Sequence, residues 1–483
     1  VTHTSLQLTS RYQDDGERHR SLQAVFEATW TRLSALEQLA LMRLAIFHGS
    51  ISIEAALRVA AADDNILALL EEKMLVNRQN DNRLVLHEMI HQLALQKLVQ
   101  NEAEWHYATN VHADYFITLF STSAQHIKYG DAREAILHIS CELENIAAAW
   151  KTLLEERRTD WFELCWEGMW LFFNISSRFR EGEDWFRAVV DTFANSPDTN
   201  EKLTADFNRV LVANFLLRQG RITEAHVIVS NPQLETVCNS PKVRDRYLFY
   251  FVQSYVLHAL GNAQAARLSG EVGLKDAKFF EQDPYFLITG YYQMGRVHLL
   301  LGDSETAYRY LSSALQLYRE YKLGWGMGLV LTELGLVAEA MGRITDALAY
   351  YEAVLAAVTE WEEIWNYHRT RINIGRVKLA LGETQEAISI FCATLQGLLS
   401  NPQLGLEIDC FVEVALVLKS LDEPSWARLL LEYCAVHPEC FQPVRDRATD
   451  YLKKLTAELP DQNVSAARNL FPVNKRDVCN MLL

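Results

Sequence analysis

The sequence predicts a mainly α-helical protein. The fold class is an α-solenoid of helical hairpins with a period of about 40 residues, behind a small N-terminal domain that carries a β-hairpin. Three observations predict it. A Gly followed five residues later by an Ala recurs at Gly220/Ala225, Gly261/Ala266, Gly302/Ala307, Gly342/Ala347 and Gly382/Ala387; Asp422/Ala427 keep the phase without the Gly, and the steps are 41, 41, 40, 40 and 40 residues. Seven residues before each lies another small residue: Ala213, Ser254, Gly295, Gly335, Gly375 and Ala415. Helix breakers are scarce, with 10 Pro and 21 Gly in 483 residues. A fixed period of this length marks stacked two-helix units that bury their faces against neighbours.

Taken in order, residues 1–20 (VTHTSLQLTSRYQDDGERHR) are polar and aperiodic and read as a linker. From residue 21, Leu22, Val25, Phe26, Thr29, Trp30 and Leu33 fall on one helical stripe. Ser34 with Glu37 forms a capping box for the next helix, LEQLALMRLAIF, which is expected to end at Gly49. Ser52 starts a third helix over 51–61, and 65–72 is a fourth. Two apolar runs, MLVNR (74–78) and RLVLH (83–87), flank the turn QNDN and predict a β-hairpin. A further helix begins near His87. Helices followed by a two-stranded wing describe a winged-helix domain over 21–100. Apolar stripes make 101–155 a helical bridge. From Trp161, Ser177 and Gly182 fit the Gly/Ala frame 43 residues before Gly220, so about seven hairpins occupy 156–460. The pattern is lost over 461–483. Within a hairpin, Ser304, Thr345 and Thr384 are expected to cap second helices, and Gly295 with Ala307 to let the two backbones approach closely.

These stretches resemble known families. RHRSLQAVFEATWTRLSALEQLALMRLAIFHGSISIEAALRVA, LLEEKMLVNR and RLVLHEMIHQLALQKL, in that order, resemble the winged-helix segment of bacterial STAND regulators. These are signal-transduction NTPases with an NB-ARC-like module, such as the AfsR-type and maltose-activator-type transcriptional regulators, and the match spans about 20–155. The hairpin frame resembles a tetratricopeptide repeat, stretched from 34 residues to about 40. In that family the winged helix follows a P-loop NTPase module and precedes the repeats. The chain has no GxxxxGK(S/T), so the resemblance implies a fragment of a longer protein, with no cofactor here and ADP or ATP bound in an upstream module. Leu86-His87-Glu88 resembles the family's Met-His-Asp motif. That implies nucleotide-state sensing by His87 in the parent protein, its imidazole N–H donating to a phosphate oxygen.

Other chemistries find little support. A net charge of −16, with 10 basic and 12 acidic side chains in the first 100 residues, argues against nucleic acid or anionic membrane as a partner. No apolar run is long enough to span a membrane. Eight Cys without CxxC spacing read as reduced core residues of a cytoplasmic protein. His87-Glu88-Met89-Ile90-His91 matches HExxH, which on a helix can chelate zinc with the Glu as base, so a zinc hydrolase is a remote alternative. Cys434, His437 and Cys440 lack a zinc-finger frame and read as a helix-end loop. No Ser-His-Asp order, catalytic carboxylate pair or phosphate loop stands out, so the chain is not expected to be an enzyme.

First helices of stacked hairpins line the inner groove of a superhelix. Tyr255, Tyr292, Arg296, Arg369 and Arg376 are expected to face it, with Trp325, Trp361 and Trp365 at or before first-helix starts. Aromatic and Arg side chains suit a peptide, sugar or protein ligand acting as inducer or partner, and inter-repeat packing is the competing explanation for each. The expected function is the sensor and autoregulatory arm of a STAND-type regulator, relaying groove occupancy through the winged helix to the intramolecular NTPase module. The alternative is a stand-alone scaffold for protein–protein interaction.

Overall fold

The structure, a computed structural model, describes residues 25–79, 82–280, 283–323, 325–357, 364–400, 404–438 and 440–458. The expected linker over 1–20, the tail over 461–483 and Trp361 lie outside the described residues. The fold is mainly helical. It divides into two compact units, one running up to Ser123 together with Leu137–Trp166, the other made of Ala124–Ile136 and the chain from Glu167 onward.

In the first unit, a short helix α1 (25–30) precedes α2 (Ala35–Leu44). The capping box is formed: Ser34 N donates to Glu37 Oε2 at 2.7 Å, and Glu37 N donates to Ser34 Oγ at 3.3 Å. α2 stops at Ala45 rather than at Gly49. The N–H groups of Ala45, Ile46 and Phe47 bond carbonyls three residues back, which tightens the last turn and seats Phe47 in the core. Helix α3 (Ile53–Ala60) is capped by Ser52 and α4 (Asp64–Glu72) by Asp63. Strands β1 (Asn77–Arg78) and β2 (Leu84–Val85) pair antiparallel, shorter than the apolar runs around them, and Ile51 adds a single antiparallel bridge to Leu84. Then come α5 (Glu88–Gln100), α6 (Glu102–Tyr129), α7 (Ala132–Cys141) and α8 (Leu143–Glu155), of which the end of α6 from Ala124 and the start of α7 up to Ile136 belong to the second unit. Arg83 ties the hairpin inward through Glu142 Oε1 at 2.6 Å and the Ser50 carbonyl at 2.7 Å.

The second unit holds the repeats. Their hairpins are α9 (Thr159–Ile175, its residues up to Trp166 belonging to the first unit) with α10 (Phe179–Phe193), and α11 (Thr199–Arg218) with α12 (Ile222–Val229). A short α13 (Glu235–Cys238) intervenes. Next are α14 (Val243–Ala259) with α15 (Ala263–Ala277), α16 (Pro284–Leu300) with α17 (Ser304–Tyr321), and α18 (Met327–Ala340) with α19 (Ile344–Ala357). The last pairs are α20 (Ile364–Ala380) with α21 (Thr384–Ser400) and α22 (Leu404–Ser420) with α23 (Pro424–Val436), followed by α24 (Gln442–Glu458). Each turn between paired helices passes through a left-handed residue: Gly220, Gly261, Gly302, Gly342 and Gly382 have φ of 73–84°, and the phase holds at Ser177 (φ 56) and Asp422 (φ 64). At Gly302 a Cβ would meet nothing within 4 Å, so conformation alone asks for Gly there.

Two expectations change in detail. The caps are the residues directly after the turn Gly: Asn262 accepts from Ala265 N, and Asp303 from Thr306 N at 3.1 Å. Ser304 and Thr384 are the first helical residues, and Thr345 lies inside α19. The small residue on the first helix makes room for a large side chain rather than for a backbone. A Cβ on Gly295 would fall 2.5 Å from Leu311 Cγ, one on Gly375 2.6 Å from Phe391 Cε1, and one on Gly335 would overlap the Tyr351 ring. Each filler stands 16 residues beyond its Gly. At Ser254 the pair is reversed, because residue 270 is a Gly that holds Met294. Leu311, Tyr351 and Phe391 are each fully buried.

Candidate ligand groove

Within the repeat unit, the first helices carry one cavity of about 360 Å³. Its lining comes from α11, α14, α16, α18, α20, α22 and the start of α24, and from no second helix of a pair. The phase explains this. At four of the six small positions the residue that follows lines it: Tyr255, Arg296, Leu336 and Arg376. Gln442, the first residue of α24, sits 2.8 Å from where a Cβ on Gly261 would be, so α24 meets the turn after α14.

Six of the expected groove residues come together there: Tyr255, Tyr292, Arg296, Trp365, Arg369 and Arg376. Trp325 lines an adjoining cavity of about 60 Å³ that shares Arg218, Tyr255 and Tyr292 with the larger one. Arg218, Glu333, Asn373, Asp409, Phe441 and Arg447 also line the main cavity and were not expected from the sequence.

Glu333, buried on α18, receives Arg296 Nε at 3.0 Å and Arg369 Nη2 at 2.8 Å. Arg376 reaches Glu339 Oε1 at 2.7 Å and Glu413 Oε1 at 3.8 Å. Arg447 pairs with Asp409 and approaches Glu413 Oε1 at 3.1 Å. Arg296, Arg369 and Arg376 therefore tie neighbouring repeats together as well as lining the groove. Burial pushes the Glu413 carboxyl up, against the pull of Arg447 and Arg376. Arg296 also lies 4.6 Å over the Tyr255 ring. Arg218 stacks on Trp365 at 4.6 Å and on Phe179 at 4.9 Å. Burial, with Arg296 and Arg369 nearby, pulls His258 well below the ordinary imidazole value, so it is neutral near pH 7.

The other candidates lie elsewhere. His87 is the exposed N-cap of α5, its Nδ1 accepting from Met89 N at 3.3 Å. His91 Nε2 lies 3.1 Å from the Phe47 carbonyl. The two imidazoles of HEMIH thus have separate protein partners. Cys434 Sγ faces the Ile408 carbonyl at 3.6 Å and Cys440 Sγ the Phe441 carbonyl at 3.6 Å. Among the described residues no group of three or more His, Cys, Asp or Glu is placed to hold a metal, all described Cys are free, and no helix is long and apolar enough to cross a membrane.

Comparisons place the repeats in a class. A tetratricopeptide repeat model matches residues 288–321, the α16–α17 hairpin, so the second unit is a tetratricopeptide-like solenoid. No curated protein matches the chain in sequence. Among solved structures, a STAND protein with a tetratricopeptide repeat sensor from Pyrococcus horikoshii is similar at 14% identity over 89% of this chain, with a TM-score of 0.49. The chain spans 66% of that protein's length. The apo quorum sensor NprR of B. thuringiensis is similar at 18% identity over 62% of this chain and 85% of that one, with a TM-score of 0.42.

Proposed function

We propose that the chain is the sensing arm of a STAND-type regulator, with its superhelical groove binding an inducer or a peptide or protein segment. One observation carries the binding part. The inward-facing positions of successive repeats hold Tyr, Trp, Arg and Glu beside Leu around about 360 Å³, a size typical of ligand sites.

The relay rests on the first unit. Its order of α2, the Ile51 bridge, α3, α4 and the β1–β2 hairpin suits a winged-helix module over 21–100 with a helical bridge over 101–155. His87 stands exposed at the start of α5, where a bound nucleotide of an upstream module can reach it. Ligand then acts by differential affinity, shifting a resting state toward an active one.

The test has two arms. Leu336→Trp fills the groove from one inward position; it should abolish binding of any hit from a peptide and metabolite screen while helical content stays unchanged. Unchanged binding would move the ligand site elsewhere. For the relay, the protein expressed with its upstream coding sequence should exchange ADP faster when ligand is added. An upstream sequence without a P-loop ends the relay and leaves a stand-alone binding scaffold.

A further inference from the structure

The ion pairing in the groove is lopsided. Five guanidiniums line it, those of Arg218, Arg296, Arg369, Arg376 and Arg447. Four carboxylates answer them: Glu333, Glu339 and Asp409 pair with Arg296, Arg369, Arg376 and Arg447, while the buried Glu413 lies 3.1 Å from Arg447 and 3.8 Å from Arg376 with neither oxygen hydrogen-bonded. Arg218 has only aromatic faces, Trp365 and Phe179, and no carboxylate among the described residues.

On the groove lining itself the unused hydrogen-bonding capacity has the same sign, and the two unpaired oxygens of Glu413 lie behind it. Among groove-lining side chains, the buried polar atoms without a partner in the protein are Arg218 Nε, Arg369 Nη1, Asn373 Nδ2 and Arg447 Nε. All four are N–H donors, and a buried donor left unpaired costs free energy until something accepts from it. Asn373 and Arg369 lie four residues apart on α20, hence on one helix face. Arg218 and Arg369 both stack on Trp365, at 4.6 and 5.2 Å. Around Trp365 there is thus a cluster of donors beside an aromatic wall formed with Tyr255, Tyr292 and Phe441.

Resting on the proposal that the groove takes a ligand, the geometry points to the class of that ligand: an oxyanion, carboxylate or phosphate, carried on a flat apolar body. The oxyanion accepts from Arg218, Arg369 and Asn373, and the body lies along the aromatic wall. Guanidinium forks suit both oxyanions because each offers two acceptor oxygens in one plane. The chain's overall negative charge makes this local surplus of cations selective rather than a general polyanion surface.

The experiment uses three matched probes, benzoate, phenyl phosphate and benzamide, with affinities read by ligand-observed NMR titration on the whole chain. At least one of the two anions should bind about tenfold or more tighter than benzamide, and which one shows the preferred oxyanion. Arg218→Gln should remove that preference while leaving the thermal midpoint unchanged, and Leu336→Trp should remove all binding. Equal binding of acids and amide, lost in Leu336→Trp, overturns the anion inference and leaves the groove as a ligand site. An anion preference that survives Arg218→Gln also overturns it. Absence of all binding in the groove sinks both.

Discussion

The same first helices present two faces, and the two are built on opposite rules. On the seam side, Gly295, Gly335 and Gly375 receive Leu311, Tyr351 and Phe391, with nothing left to fill. On the groove side, one residue further along, Arg296 and Arg376 stand over open space with carboxylates behind them. The seam satisfies itself by shape. The groove lining leaves N–H donors without acceptors. A groove residue that serves the solenoid is matched within the chain, whereas one that serves a ligand is left unmatched, and two of the unmatched side chains, Arg218 and Arg369, lie against Trp365. This difference separates groove residues that are chiefly structural, such as Arg296 and Arg376, from Arg218.

The sharpest break is at Glu333, the buried carboxylate shared by Arg296 and Arg369. Glu333→Ala leaves two partly buried cations without their counterion and should cost about 3–5 kcal/mol in urea denaturation, the usual loss when one member of a buried pair is removed. A loss near zero would mean that solvent already screens the pair.

A pH effect comes next. Burial and the adjacent Arg296 and Arg369 hold His258 well below the ordinary imidazole value. Below about pH 6.5 the unfolded chain takes a proton that the folded groove refuses, so unfolding binds protons and stability falls as pH falls through that range. His258→Gln should flatten the slope of stability against pH between 7 and 5. An unchanged slope would assign it to other groups.

On the seam, Gly335→Ala places a methyl group into the Tyr351 ring and should cost about 1–3 kcal/mol, as overpacked cores do. Pairing it with Tyr351→Leu should recover part of that loss relative to the sum of the single changes. Strict additivity in a double-mutant cycle would show that the two do not share one space.

Much of this was legible in the sequence, because a repeat converts phase into position. The Gly phase located the left-handed turn inside each helical hairpin, including Ser177 and Asp422, where no Gly marks it. It also placed Tyr255, Tyr292, Arg296, Arg369 and Arg376 on one surface. Glu333 and Asn373 occupy one repeat position, two residues before Gly335 and Gly375, so the same phase marks them as inward-facing. Arg447 and Phe441 were not legible, since they arrive with α24, outside the repeat frame. The end of α2 was misplaced because Gly49 looked like a cap while burial of Phe47 decided where the helix tightened. That Arg218 lacks a carboxylate is a fact of tertiary pairing, which no local pattern records.

The smallest expected effect is the most telling. Arg218→Met keeps the apolar stem over Trp365 and Phe179 and removes the charge. Measured by urea denaturation beside Arg296→Met, it should leave stability within about 0.5 kcal/mol of the parent, because the lost cation–π attraction is offset by relief of an unmatched cation, while Arg296→Met loses about 3 kcal/mol. Equal losses in the two variants would show that Arg218 is held for the fold and contradict its assignment to a ligand.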